Sequence, residues 1–244
     1  MSLLSLDKLT VRRGVCPVVD GVSFTVQPGE FVGLIGPNGA GKTSLLRGAL
    51  GLLPHEGRSS LSALPAAARA RAAAFMPQGR EIAWPVTVET LVALGRSGQP
   101  EDGTAVEEAL RRMALQGYRG RKATALSGGE QARVLIARVL AQETPLVLAD
   151  EPVAGLDPEA QIRTMQVFAG LAAEGRSVIA SIHDLGLAAR HCSRLLLLHR
   201  GQLIADGTPA EVLTDQLLAD AFGIKGFHAM TPEGPVFQPT EVLR

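Results

Sequence analysis

"FVGLIGPNGAGKTSLLRGAL", Phe31 to Leu50, decides the fold. Phe31 to Ile35 is a short apolar run and reads as a strand. "GPNGAGKT" follows at Gly36 to Thr43, and "KTSLLRGAL" then carries helical spacing to Gly51. A glycine loop between a strand and a helix matches G-x-x-x-x-G-K-[ST] in its confirming context. Glycines 36, 39 and 41 let backbone N–H groups close around phosphate oxygens, and the helix start adds a favourable potential. Gly36, Pro37, Asn38, Gly39, Ala40, Gly41, Lys42, Thr43 and Ser44 are therefore candidate nucleotide-binding residues. Lys42 would reach the β- and γ-phosphates, and the Thr43 hydroxyl would ligate magnesium. The stretch predicts a site for a nucleoside triphosphate.

Downstream, "PLVLADEP" is a buried apolar strand that ends in Asp150. The Asp150 carboxylate can hold magnesium through water, and Glu151, pointing elsewhere, can polarise the attacking water as general base. An exposed acidic turn is the plainer reading of "DEP". A second glycine turn, "LSGGE", has no lysine of its own. Ser127 and Glu130 fit an S-x-x-E capping box for the helix "EQARVLIARVLA". A capping box needs no glycines, and Gly128 and Gly129 bare the helix start to an anion. That anion is the same nucleotide, gripped from its open side by this chain or by a second copy.

The flanking segments set the class. "LSLDKLTVRR" and "GVSFTVQPGEFVGLIG" alternate like half-buried strands, with a turn at Pro28-Gly29. Leu52 to Ala74 reads as a connector plus a helix, and "AAFMPQ" as a strand ending at Gln78. Pro85 to Ala123 is helical apart from a loop at "SGQPEDG". Then come the strand "LVLAD", the helix "PEAQIRTMQVFAGLAAEG", the strand "SVIASI", the helix "LGLAARH", and a hairpin of "RLLLLHR" and "QLIADG". Alternating strands and helices predict an α/β fold: a P-loop NTPase core with a mostly parallel sheet, an N-terminal antiparallel β lobe and an inserted α-helical subdomain. One domain over 1–244 is expected, with its core at 1–80 and 141–210, the helical subdomain at 81–140 and a C-terminal extension at 211–244.

Composition narrows the function classes. Lys plus Arg and Asp plus Glu are 24 each, so no basic field exists for a nucleic acid. Cys16 and Cys192 have no metal-ligand spacing and read as free thiols of a reducing compartment. The N-terminus is not a signal peptide, and no apolar run approaches a bilayer span. A membrane role would need other chains to supply the membrane part.

The motifs together resemble the nucleotide-binding subunits of ABC transporters over essentially the whole chain. In family order stand "GPNGAGKT" (Walker A), "MPQ" with Gln78 (Q-loop), "LSGGEQ" (signature), "LVLADE" (Walker B), "AGLD" with Asp157 (D-loop) and "SIHD" with His183 (H-switch). In that family two copies sandwich two ATP molecules head to tail. The resemblance implies ATP and Mg2+ as cofactors, with Ser127 and Gly129 binding the γ-phosphate held by the other copy. It implies that Gln78 senses magnesium, water and the transmembrane partner, and that His183 clasps the γ-phosphate and positions the water. Taken alone, Gln78 and His183 read as polar caps at strand ends, and Asp157 before Pro158 as a helix N-cap. A kinase or GTPase needs neither LSGGE nor the distal histidine.

Three departures stand out. "VRRG" puts Arg13 where the family usually stacks an aromatic ring on adenine; a guanidinium can also lie flat on a base, and Val15 or Pro17 are alternative packing partners. Glu130 replaces the commoner glutamine. The gap from Lys42 to Gln78, 78 − 42 = 36 positions, is short and lacks part of the usual small strand pair. "ALPAAARARAAAFMPQ", "WPVTVETLVALGR" and the C-terminal "LADAFGIKGFHAMTPEGPVFQP" are most similar to importer ATPases for iron–siderophore, haem and cobalamin. Zinc and manganese importers and a non-transport cluster-assembly ATPase are the alternatives. The implied partners are a second copy, polytopic permease subunits that dock on Ile82 to Leu94 and, indirectly, a substrate-binding protein, at the cytoplasmic side of a bacterial inner membrane.

Overall fold

The computed structural model describes residues 2–79, 81–97, 103–232 and 234–243. The chain opens with β1 (Leu4–Arg13) and β2 (Cys16–Val26), then β3 (Phe31–Ile35), α1 (Lys42–Ala49), β4 (Glu56–Ser59), α2 (Ala66–Ala72) and β5 (Ala73–Met76). A helical stretch follows, α3 (Val88–Ala93), α4 (Gly103–Arg112) and α5 (Gly128–Leu140). The chain then alternates through β6 (Leu146–Ala149), α6 (Pro158–Ala173), β7 (Ser177–Ser181), α7 (Leu185–His191), β8 (Arg194–His199) and β9 (Gln202–Gly207). It ends with α8 (Pro209–Val212), α9 (Asp215–Phe222) and the hairpin of β10 (Ile224–Thr231) and β11 (Gly234–Val242).

The central sheet has six strands in the order β5-β6-β7-β3-β8-β9, parallel except for β9. This is the α/β class predicted. Every residue of β3, β6 and β7 is buried, because helices or the β lobe cover both faces of a parallel sheet. The hairpin β8–β9 turns on Arg200 and Gly201, both at positive φ, the primed geometry that matches strand twist.

A smaller antiparallel sheet, β2-β1-β4, covers one face. Its Leu4, Leu9 and Val11 pack in one cluster with Leu45 and Leu46 of α1 and Leu34 of β3. On the other face, Leu110, Met113 and Leu115 of the helical region share a cluster with Val147 and Val178 of the sheet. The helical region therefore leans on the core rather than owning a separate one.

Some details differ from the sequence reading. The strand "AAFMPQ" stops at Met76, where Pro77 has no amide to extend the ladder. Leu52 to Ala74 contains β4 as well as a helix, and β4 pairs with β1 through Leu6 and Ser59. Residues 98–102 of the loop expected at "SGQPEDG" lie outside the described residues.

Candidate active site

Four segments leave the sheet at its carboxyl edge: Gly36 after β3, Pro77 and Gln78 after β5, Asp150 and Glu151 after β6, Ile182 and His183 after β7. Open parallel sheets gather their ligands at this edge. The loop from Gly36 is held close to the sheet. Gly36 has φ +148, and a Cβ there would run into the Leu198 carbonyl oxygen; Gly41, at φ +104, would meet the Val18 carbonyl oxygen. Gly41 is also the N-cap of α1, so no side chain caps that helix. Its first-turn N–H groups face the loop without an internal partner, ready for an anion.

Lys42 is 6% exposed, and its Nζ donates to the carbonyls of Gly36 at 2.7 Å and Pro37 at 3.1 Å. Burial lowers its pKa, while the charges of Glu151 and Asp150 act in the opposite sense. The loop, from Asn38 to Ser44, borders a hollow of about 480 Å³ together with Arg13, Glu151 and His183. A volume of this order suits a small-molecule ligand. Val11, Arg12, Val18, Arg47 and Leu53 also border it. None of these five holds a motif position of its own: Val11 and Arg12 precede Arg13 in "VRRG", Arg47 lies in the helix after the phosphate loop, and Val18 and Leu53 come from segments without a motif. Val15 and Pro17 do not line it; Val11, Val18 and Leu53 are the larger apolar side chains that do.

Asp150 is 1% exposed; its Oδ1 accepts a hydrogen bond from the Ser181 hydroxyl at 2.8 Å. Its Oδ2 is buried without a partner, a state that is costly for a charged oxygen unless something else meets it. Glu151 has the positive φ of 52, and its Oε1 lies 2.8 Å from His183 Nε2. Burial pushes the Glu151 pKa up, but the His183 hydrogen bond and charge, a Gln78 hydrogen bond and the Lys42 charge outweigh it, so the net shift is downward. Gln78, Glu151 and His183, far apart in sequence, thus meet around one carboxylate.

The glycine turn before α5 lies elsewhere. Ser127 Oγ accepts from the Glu130 amide at 3.3 Å, and Glu130 Oε2 accepts from the Ser127 amide at 2.8 Å, so the capping box is present. The Ser127 amide holds the Glu130 carboxyl below its ordinary range, against a smaller opposing effect of burial. Nothing would crowd a Cβ at Gly128, and at Gly129 only Leu156 comes near, at 3.9 Å. Asp157 caps α6, its Oδ1 accepting from the Ala160 amide at 2.9 Å, with Pro158 in the first turn. Ser127, Gly129, Glu130 and Asp157 line a hollow of about 220 Å³ with Arg133 and Arg163. No residue lines both hollows.

The family model described as "ABC transporter" matches residues 19–154. This chain belongs to the ABC transporter family. The "Hemin import ATP-binding protein HmuV" of Pseudomonas aeruginosa is 41% identical over 246 residues, covering 95% of this chain and 96% of that protein. The "Cobalamin import ATP-binding protein BtuD" of Halobacterium salinarum is 40% identical over 232 residues, covering 90% of this chain and 58% of that protein. Among solved structures, a transporter assigned to the metal-chelate type and seen facing inward superposes with a TM-score of 0.85 at 25% identity, over 99% of this chain and 98% of that one. As a member of this family with ATP-binding importer subunits as relatives, the ABC chain binds ATP and hydrolyses it. No helix among its described residues is long and apolar enough to cross a membrane.

Proposed function

We propose that this chain powers import of a metal chelate of the haem, cobalamin or iron–siderophore kind, and that two copies close head to tail over two ATP molecules. The observation that carries the reading is the division of the phosphate-binding features between two hollows with no lining residue in common. One has a lysine and a bare helix start; the other has a bare glycine turn and no lysine. Two copies placed head to tail would join one half-site to the other. Ser127, Gly128, Gly129 and Glu130 of one copy would then face the γ-phosphate resting on Gly36 to Ser44 of the second, with Asp157 at the seam. Arg13 would lie along the base.

Magnesium suits the residues present. The orphaned Asp150 Oδ2 is buried, and Thr43 borders the nucleotide hollow. Among the described residues no three His, Cys, Asp or Glu gather as a metal cage, and Mg2+ needs none, since one or two carboxylates with substrate phosphates and water suffice. Thr43, Asp150 and Gln78 would hold it, and when bound it would neutralise charge on the β- and γ-phosphates. Lys42 would shift from its loop carbonyls to those phosphates. Glu151 would take the proton of the attacking water, and His183 would leave Glu151 to contact the γ-phosphate.

We further read the chain as one domain with core 1–80 and 141–210, helical subdomain 81–140 and extension 211–244. Ile82 to Leu94 would dock permease subunits at the cytoplasmic side of the inner membrane, a reading supported by Trp84 at 68% exposure. A substrate-binding protein would deliver the chelate. The names of the two relatives favour a chelate over zinc or manganese. Deleting the gene and measuring uptake of labelled haem, cobalamin and iron–siderophore tests this. Uptake of one should be lost, restored by the intact gene and not by Glu151→Gln. Loss of zinc or manganese uptake alone, or of none, would overturn it.

A further inference from the structure

Ser181, the last residue of β7, is 0% exposed. Ala149 and Ala180 are register partners on the parallel strands β6 and β7. One step further along these strands, Asp150 and Ser181 are side by side. Ser181 Oγ accepts the Glu151 amide proton at 2.8 Å and donates to Asp150 Oδ1 at 2.8 Å. Because the amide N–H can only donate, the hydroxyl proton has one direction left, toward Asp150.

We propose that Ser181 is a positioning residue for ATP hydrolysis, its one hydroxyl fixing the Asp150 carboxylate and the Glu151 backbone together. The proposal rests on the roles given above to Asp150 and Glu151. For Asp150, the bond to Oδ1 restrains rotation of the carboxylate and leaves Oδ2, buried without a partner, as the oxygen that would hold the metal. Such outer hydrogen bonds orient the groups that hold a metal.

For Glu151, the effect is on the backbone. A non-glycine residue at φ 52 sits in a sparsely populated region and stays there only when its surroundings hold it. Ser181 holds the amide at one end of Glu151, and His183, two residues beyond Ser181, holds the carboxylate at 2.8 Å. The Ile182 amide between them is tied to the Leu34 carbonyl at 3.1 Å, just ahead of the phosphate loop. The segment 181–183 thus grips both ends of the proposed base from one anchored stretch of chain.

Ser177 provides the control. It begins the same strand, is also 0% exposed, donates to the Gln27 carbonyl at 2.8 Å and accepts from the Glu30 amide at 3.2 Å. It lies at the opposite end of the strand from the site. Ser177→Ala and Ser181→Ala should lower thermal stability alike. Only Ser181→Ala should weaken Mn2+ binding to the protein loaded with a non-hydrolysable ATP analogue, by about tenfold or more, read as the free Mn2+ signal in electron paramagnetic resonance. It should also lower kcat by about ten- to a hundredfold with KM for ATP little changed, and Ser181→Thr should restore much of both. Mn2+ affinity and kcat of Ser181→Ala matching those of Ser177→Ala would overturn the proposal. If Ser181→Ala does not fold, Ser181→Cys, close in size and a weak donor, takes its place under the same criteria. If Asp150→Asn and Glu151→Gln also leave kcat unchanged, the underlying roles of the two carboxylates fall instead.

Discussion

His183 Nε2 lies 2.8 Å from Glu151 Oε1, so the carboxylate proposed as general base is already engaged by the histidine proposed to contact the γ-phosphate. Both cannot act in full while this bond lasts. In this conformation the base is restrained. Because the net shift of Glu151 is downward, its carboxylate stays ionised as pH falls through the ordinary glutamate range. His183→Ala removes the largest of the influences that lower it, so the Glu151 midpoint should rise. A pH titration of the Glu151 carboxyl 13C shift checks this; an unchanged midpoint contradicts it.

Gly36→Ala should be among the most damaging single changes in the loop. The added Cβ would overlap the Leu198 carbonyl oxygen, on a backbone at φ +148 that L side chains rarely adopt. A loss of about 1–3 kcal/mol in a urea melt is expected, the range for overpacked sites. ATP affinity should fall as well, because the loop must move away from β8 to make room.

Ser127→Ala separates the two roles given to that serine. As an N-cap it should contribute about 1 kcal/mol to stability. In the isolated subunit it does not line the P-loop hollow, so binding of ATP to the monomer should hold within about twofold of wild type. Steady-state hydrolysis should drop far more than either number implies. Equal losses in monomer binding and hydrolysis would argue against a role across two copies.

Arg13 borders the hollow and is exposed. A guanidinium stacked on a base reads its flat face and little of its edge. Arg13→Ala should therefore weaken ATP and GTP by similar factors, about two- to fivefold, as expected for about 0.5–1 kcal/mol of stacking. A strong ATP preference that survives Arg13→Ala would assign base selection to Val18, Leu53 or Arg47.

Much of this was legible in the chain itself, for physical reasons. Phe31 to Ile35, "LVLA" and "SVIAS" are buried throughout, so they stand out as apolar runs before turns, and the groups at their ends face the site. The capping roles of Ser127 and Asp157 follow from local spacing, which needs no tertiary contact. β4, "EGRS", has three exposed residues of four and gains its strand form only by pairing with β1. The β10–β11 hairpin has polar residues and Pro235 and Pro239 within it, which obscured its alternation; it is anchored by Phe237, only 5% exposed. Ser181 stands at the end of the run "SVIAS" with nothing local to mark its role, since only the pairing of β6 with β7 brings its hydroxyl to Asp150. Arg12, Arg47 and Leu53 reach the hollow from three separate segments, and no sequence pattern links them.

The most direct measurement is the mass of Glu151→Gln by light scattering, with and without ATP and magnesium. With hydrolysis blocked, two copies should stay closed over nucleotide. The particle should go from the 25.6 kDa of one chain to twice that on adding ATP, and Ser127→Ala in the same background should reverse the change. A protein that binds ATP yet keeps the mass of one chain would contradict a site shared between two copies.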